Sequence, residues 1–198
     1  LIKSNSIGKI LKINSSFGLD KGKPKSNNRL FNKEFGGGSI LDLGCYPVSM
    51  SNLIANISNR ENEVIPEIKN TNGTIYKSEI DLNAQAELIY SNGVTSKINV
   101  SISENLENKT TIFGTNGKLV INDPWLPNKN SIIEIYKDGK IQELKTESNF
   151  CIFASQIDFF NQNVERKNLV CDYPSMSIDN SVDCIQIMSE WKNKILKK

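Results

Sequence analysis

Apolar and polar residues alternate through the middle of this chain and recur at helical spacing near its two ends. In "EIDLNAQAELIYSNGVTSKINVSIS" the positions Ile80, Leu82, Ala84, Ala86, Leu88 and Tyr90 are apolar. Across "SNG", Val94, Ile98, Val100 and Ile102 continue the apolar set, which predicts a long antiparallel hairpin with one greasy face. Further turn signals stand at "GTNGK" (Gly114 to Lys118) and "KDGK" (Lys137 to Lys140). Asn-Gly and Asp-Gly suit type I′ turns, whose two central residues both need positive φ. From about Glu63 to Glu147 the pattern predicts at least six consecutive strands in one mostly antiparallel sheet. Ahead of them "GKILKINSSFG" (Gly8 to Gly18) reads as a strand, followed by the polar, basic loop "LDKGKPKSNNRLFNKE".

Helical spacing takes over elsewhere. After Gly36, Gly37 and Gly38, the residues Ile40, Leu41, Leu43, Val48, Leu53 and Ile54 suit a mostly buried helix running to about Asn56. Pro47 kinks that helix or marks its restart, because it supplies no N–H and crowds the preceding turn. "FCIFASQIDFFNQNVERK" places Phe153, Ile157, Phe160 and Val164 on one stripe, expected to face the core. "SMSIDNSVDCIQIMSEWKNKIL" does the same with Ile178, Val182, Ile185, Met188 and Ile195, with Ser177 as N-cap and Trp191 in the core. The sum is α+β: a large open, mostly antiparallel sheet with three helices on one face, read as a single domain over 1–198. The other face carries Asn83, Gln85, Glu87, Thr95, Lys97, Asn99 and Ser101. It is either a solvated surface or an oligomer interface, since interfaces are depleted in charge more than in polarity.

Composition narrows the function classes. A formal charge of +2, with no block of like charge beyond Lys197-Lys198, gives no nucleic-acid footprint. No apolar run approaches the ~20 residues needed to span a bilayer. "LIKSNSIGKI" has no signal-peptide apolar core and no initiating Met, so the chain reads as a piece of a longer protein. Histidine is absent, and with it the commonest metal ligand and general base. Cys45, Cys151, Cys171 and Cys184 are scattered without a CxxC pair, so no zinc site is expected. They read as free thiols in a reducing cytoplasm.

The one stretch with the look of a site is "FGGGSILDLGCYPVSM". Glycines allow a ligand or another chain to approach the backbone closely. Asp42 and Tyr46 are four apart, so on a helix they share a face. A phenol beside a cation or a helix N-terminus becomes a usable proton donor or acceptor, and a carboxylate can orient its partners. The same spacing also fits an Asp that caps a local N–H and a Tyr that merely packs.

"GGGSILDLGCYPVSMSNLI" resembles the GGGxLxDxGxY/H segment of the Gfo/Idh/MocA oxidoreductases, in the branch of dihydrodiol dehydrogenases and glucose–fructose oxidoreductase-like enzymes where Tyr ends the pattern. "IGKILKINSSFG" is similar to the first strand after that family's nucleotide domain, "TTIFGTNGKLVINDPW" to its late-sheet hairpin, and "FASQIDFFNQNVERKN" to its penultimate helix. The resemblance implies an NAD- or NADP-dependent oxidoreductase acting on a sugar, polyol or diol. Its Rossmann domain and E-K-P lysine are absent from this chain, which contains no GxGxxG. Tyr46 then takes the position of the acid/base residue. Asp42 binds a substrate hydroxyl or orients the absent lysine. Arg29 matches an arginine before the glycines that meets the substrate or steadies the loop, and Trp125 an aromatic position lining the pocket. The glycines are expected to pack closely at a domain junction. The implied partners are the N-terminal Rossmann domain and further copies of the chain through the sheet face. The alternative is a non-catalytic binding or dimerisation module of the same fold; a separate polypeptide carrying the Rossmann half is a third arrangement.

Overall fold

The computed structural model describes residues 1–25, 27–58, 64–128, 130–147, 152–168 and 175–197. Eight strands form one sheet: β1 (Ile10–Gly18), β2 (Glu67–Tyr76), β3 (Ile80–Ile89), β4 (Thr95–Ser101), β5 (Lys109–Gly114), β6 (Gly117–Asn122), β7 (Asn130–Lys137) and β8 (Lys140–Glu147). Their order is β2-β3-β4-β1-β5-β6-β7-β8, and every neighbouring pair is antiparallel except β1 with β4. The first strand of the chain therefore lies in the middle of the sheet, parallel to β4 and antiparallel to β5.

The alternating pattern sets the β3–β4 register as expected. Ala84 faces Val100, and Ala86 faces Ile98, with all four buried beneath the helices. At the β7–β8 turn, Asp138 and Gly139 both adopt positive φ, as a type I′ pair should. The β5–β6 turn corrects the expectation. It is centred on Thr115–Asn116, because Gly114 pairs with Gly117, and no positive φ occurs there. The reason is tertiary. The Thr115 and Asn116 amides donate to the carbonyls of Lys9 and Ile7, so the segment before β1 holds this turn.

Three helices cover one face: α1 (Ser39–Leu43), α2 (Cys45–Ser58) and the carboxyl-terminal half of α4 (Ile178–Leu196). Pro47 marks a restart, since it lies in the first turn of α2, where an N–H has no intrahelical partner. Ile40, Val48 and Ile54 are buried as expected, whereas Leu41 and Leu53 are exposed on the outer side of the helices. In α4 the Ser177 side chain accepts from the Asn180 amide and forms a capping box. Cys184, Ile187, Met188, Trp191 and Ile195 go into the core, and the Trp191 indole donates to the Gln85 carbonyl.

The third closing helix, α3 (Ile152–Glu165), departs from the expectation. Phe153, Ile157, Phe160 and Val164 are each at least 58% exposed, and on the first half of α4 Ile178 is 70% and Ile185 57% exposed, with Val182 also outside the core. Periodicity specified the stripes, but among the described residues nothing covers them. A chain carrying Ile157→Ser and Phe160→Ser should therefore keep its melting temperature within about 4 °C, because exposed sites change stability by ~0.5 kcal/mol or less each. Its self-association by sedimentation should fall. A large drop in melting temperature would mean that α3 packs into the core.

Candidate active site

Three expected site residues are carried by the segment that runs from the end of β1 into the first turn of α2. After β1, asparagine caps order the polar loop. Asn28 Oδ1 accepts from the Leu30 amide and Asn32 Oδ1 from the Glu34 amide, shaping two short 3-10 turns, Arg29–Phe31 and Lys33–Phe35. The first turn brings Arg29 to α1, where its Nη2 donates to Asp42 Oδ1 at 2.6 Å. Arg29 is largely exposed and Asp42 mostly shielded. Asp42 thus gives its carboxylate to Arg29, and no hydrogen bond joins it to Tyr46.

Tyr46 sits one turn further, at the start of α2. Gly44 lies between the two helices in helical conformation and its amide donates to the Ile40 carbonyl at 2.8 Å, so α1 runs into α2 with little deviation. A Cβ at Gly44 would lie 2.4 Å from that carbonyl oxygen, so the junction needs glycine. The Tyr46 ring meets Phe17 of β1 edge-on at 5.1 Å and Trp125 at 5.9 Å, and Phe17 stacks on Trp125 at 6.0 Å. Trp125 is 8% exposed and its indole donates to the Ser16 carbonyl at 2.9 Å, which fixes this wall of the cluster. The Tyr46 hydroxyl makes no hydrogen bond to a described residue, and the residue is 39% exposed. Partial burial, with smaller contributions from Cys45 and Asp42, pushes its phenol above the ordinary value. At neutral pH it is a phenol, not a phenolate.

Tyr46 and Trp125 border a groove of about 1000 Å³ between α2, the 124–127 loop, the start of α3 and residues 175–180. Helical spacing turns Ser49, Leu53 and Asn56 of α2 toward the same groove, and Lys3, Asn52 and Gln156 add polar groups. The structure thus unites Tyr46 with Trp125 and Arg29 with Asp42. Phe17 joins the cluster without having been picked out from the sequence. Its signal was the inward alternation Ile13, Ser15, Phe17 along β1, with all three buried.

The triglycine segment approaches its own chain. A Cβ on Gly37 would lie 2.6 Å from the Leu30 carbonyl oxygen, and one on Gly38 2.2 Å from Asp81 Oδ1. Asp81 is fully buried and receives the Ser39 hydroxyl and the Ile40 amide, each at 2.7 Å. The first turn of α1 is therefore capped from within.

Among the described residues no group of three or more His, Cys, Asp or Glu is placed to hold a metal, and no helix is long and apolar enough to cross a membrane. Cys184 is a buried free thiol and Cys45 a half-buried one; Cys151 and Cys171 lie outside the described residues.

Residues 1–120 match the GFO/IDH/MocA C-terminal domain. A trans-1,2-dihydrobenzene-1,2-diol dehydrogenase of Xenopus tropicalis is 30% identical over 141 residues, 71% of this chain and 39% of that protein. The chain thus spans well under half the length of this relative. Among solved structures, KijD10, a 3-ketoreductase from Actinomadura kijaniata in complex with NADP and TDP-benzene, superposes with a TM-score of 0.77 at 19% identity, over 99% of this chain and 56% of that one. An aldose-aldose oxidoreductase from Caulobacter crescentus gives 0.78 at 16% identity, over 98% and 55%. At such identities the likeness is one of fold.

Proposed function

The chain belongs to the GFO/IDH/MocA C-terminal domain family, and from that premise we propose that it is the substrate-side domain of an NAD(P)-dependent oxidoreductase. The reaction is hydride transfer between nicotinamide and the secondary alcohol or carbonyl of a sugar, polyol or diol. The observation that carries this reading is a protonated Tyr46 at the edge of an aromatic and amide-lined groove, one turn from an Arg29–Asp42 pair.

Redox chemistry belongs to the cofactor, NAD or NADP, and the residues present do not form its cradle. β1 and β4 are the one parallel pair among the described strands, and neither runs directly into a helix. At the triglycine turn, the Ile40 amide and Ser39 hydroxyl are already committed to Asp81, whose carboxylate repels phosphate. The cofactor accordingly belongs to an N-terminal Rossmann domain outside this chain. Its docking surface includes the exposed apolar stripes of α3 and α4, an inference supported by relatives about twice as long.

This chain supplies proton and substrate handling. Tyr46 hydrogen-bonds the reacting oxygen and donates its proton as the carbonyl is reduced, or accepts one in the reverse direction. Asp42, held by Arg29, binds a neighbouring hydroxyl, and Arg29 can itself meet a polar substrate. Trp125 stacks on the apolar face of the ring. The polar outer sheet face, with a depression of about 570 Å³ lined by Asn14, Gln85, Lys97 and Asn99, serves as the contact between copies. The setting is cytoplasmic.

Calorimetric titration of the chain alone with NAD(H) and NADP(H) should give no binding heat, and the chain alone should be inactive. Micromolar cofactor binding would sink the two-domain reading. The coding sequence upstream of Leu1 provides a second check: a GxGxxG followed by an E-K-P segment is expected there, and an unrelated region would favour the dimerisation module.

A further inference from the structure

Asp81 stands out among the charged groups that the mechanism above does not use. It is fully buried, yet it comes from β3, 42 residues along the chain from the Ser39 hydroxyl that it accepts. Its Oδ2 takes both the Ser39 hydroxyl and the Ile40 amide, while Oδ1 has no hydrogen-bond partner among the described residues. Lys192 of α4 sits 3.8 Å from Oδ1 and donates to the Gly37 carbonyl at 3.2 Å. Beyond Lys192, Glu79 pairs with Lys33 at the other end of the glycine turn. Burying a carboxylate is costly, and helix starts are ordinarily capped by a neighbouring side chain. Gly38 at the N-cap offers none. A local cap would satisfy the amide but leave α1 free to shift. Asp81 ties it instead to β3 of the sheet and to α4.

From Asp81 a ladder of hydrogen bonds leads toward the site. The Ile40 amide donates to Asp81, the Gly44 amide to the Ile40 carbonyl, and the Val48 amide to the Gly44 carbonyl. Asp42 and Tyr46 project from the two turns so fixed. We infer that Asp81 is the positioning residue of the site: with Lys192 it clamps the triglycine turn and thereby sets where Asp42 and Tyr46 stand. This rests on the functional reading of those two residues, but its test does not use activity.

The chain labelled with ¹³C at the tyrosine Cζ reports each phenol separately, Tyr46 being assigned through Tyr46→Phe. In folded Asp81→Asn, the Tyr46 signal should move and its titration midpoint should fall by about half a pH unit or more toward the ordinary value, as burial is lost. The Tyr136 signal, on β7, should stay in place. Asp81→Glu should restore neither, because the longer side chain cannot fit over Gly38. Ser39→Ala, which removes one of the two donors and keeps the carboxylate, should move Tyr46 in the same direction by less. If Asp81→Asn does not fold, the Ser39→Ala result decides. An unmoved Tyr46 signal and midpoint in the folded variants overturns the positioning role. An unchanged kcat in Tyr46→Phe would overturn the functional reading and leave the clamp intact.

Discussion

Tyr46→Phe is expected to lower kcat of the intact oxidoreductase by at least about tenfold with little change in melting temperature, since a positioned acid/base commonly contributes 10²–10⁴. Phenylalanine keeps the ring against Phe17 and Trp125, and the hydroxyl it removes has no hydrogen bond to a described residue, so the fold loses almost nothing. The direction of the pKa shift adds a second signature. Burial raises the Tyr46 phenol above its ordinary value, so the proton-donating form persists through neutral pH. Carbonyl reduction should hold steady there and fall only as pH climbs past that raised value, and Tyr46→Phe should abolish this alkaline limb. An unchanged kcat would remove Tyr46 from the chemistry.

Gly38→Ala should destabilise the chain by about 3 kcal/mol or more, a large share of the 5–15 kcal/mol that holds a typical domain together. Two effects add. At φ +113° an L side chain is strained, and its Cβ would stand 2.2 Å from Asp81 Oδ1, forcing a buried carboxylate off its two donors. Gly36→Ala is the internal control. Gly36 also has positive φ, at +67°, but no atom lies within 4 Å of its would-be Cβ, so only the backbone term remains, about 1 kcal/mol. Urea midpoints compare the two variants directly. Equal losses would mean that the contact with Asp81 contributes nothing.

What could be read from the sequence divides along physical lines. The β3–β4 hairpin was legible because a period of two and a three-residue turn fix register locally. Trp191 and the Ser177 cap were legible from helical spacing and from residue type. The clamp at the triglycine turn was not, because Asp81 looks like one polar position in an alternating strand and its partners lie far off in sequence. The stripe of α3 was visible as a stripe, but periodicity carries no information on what lies opposite it. The Asn116-Gly117 turn was misplaced because hydrogen bonds to Ile7 and Lys9 outweighed the local preference. For the site, resemblance supplied Arg29 and Trp125, whereas Phe17 needed the register of β1 to bring it beside Tyr46.

The central place of β1 bears on how the chain assembles. Its neighbours β4 and β5 lie about 80 to 100 residues downstream, so closing those contacts means ordering a long loop before any reward is gained. The β3–β4 and β7–β8 hairpins, with adjacent partners, can zip up on microsecond times. During synthesis β1 precedes both partners, so its two backbone edges stay open until β4 and β5 have followed. This topology favours two half-sheets forming early, with β1 locking between them last. Slow refolding is thus built into the topology, and the unpaired strand is the segment a chaperone would most usefully shield.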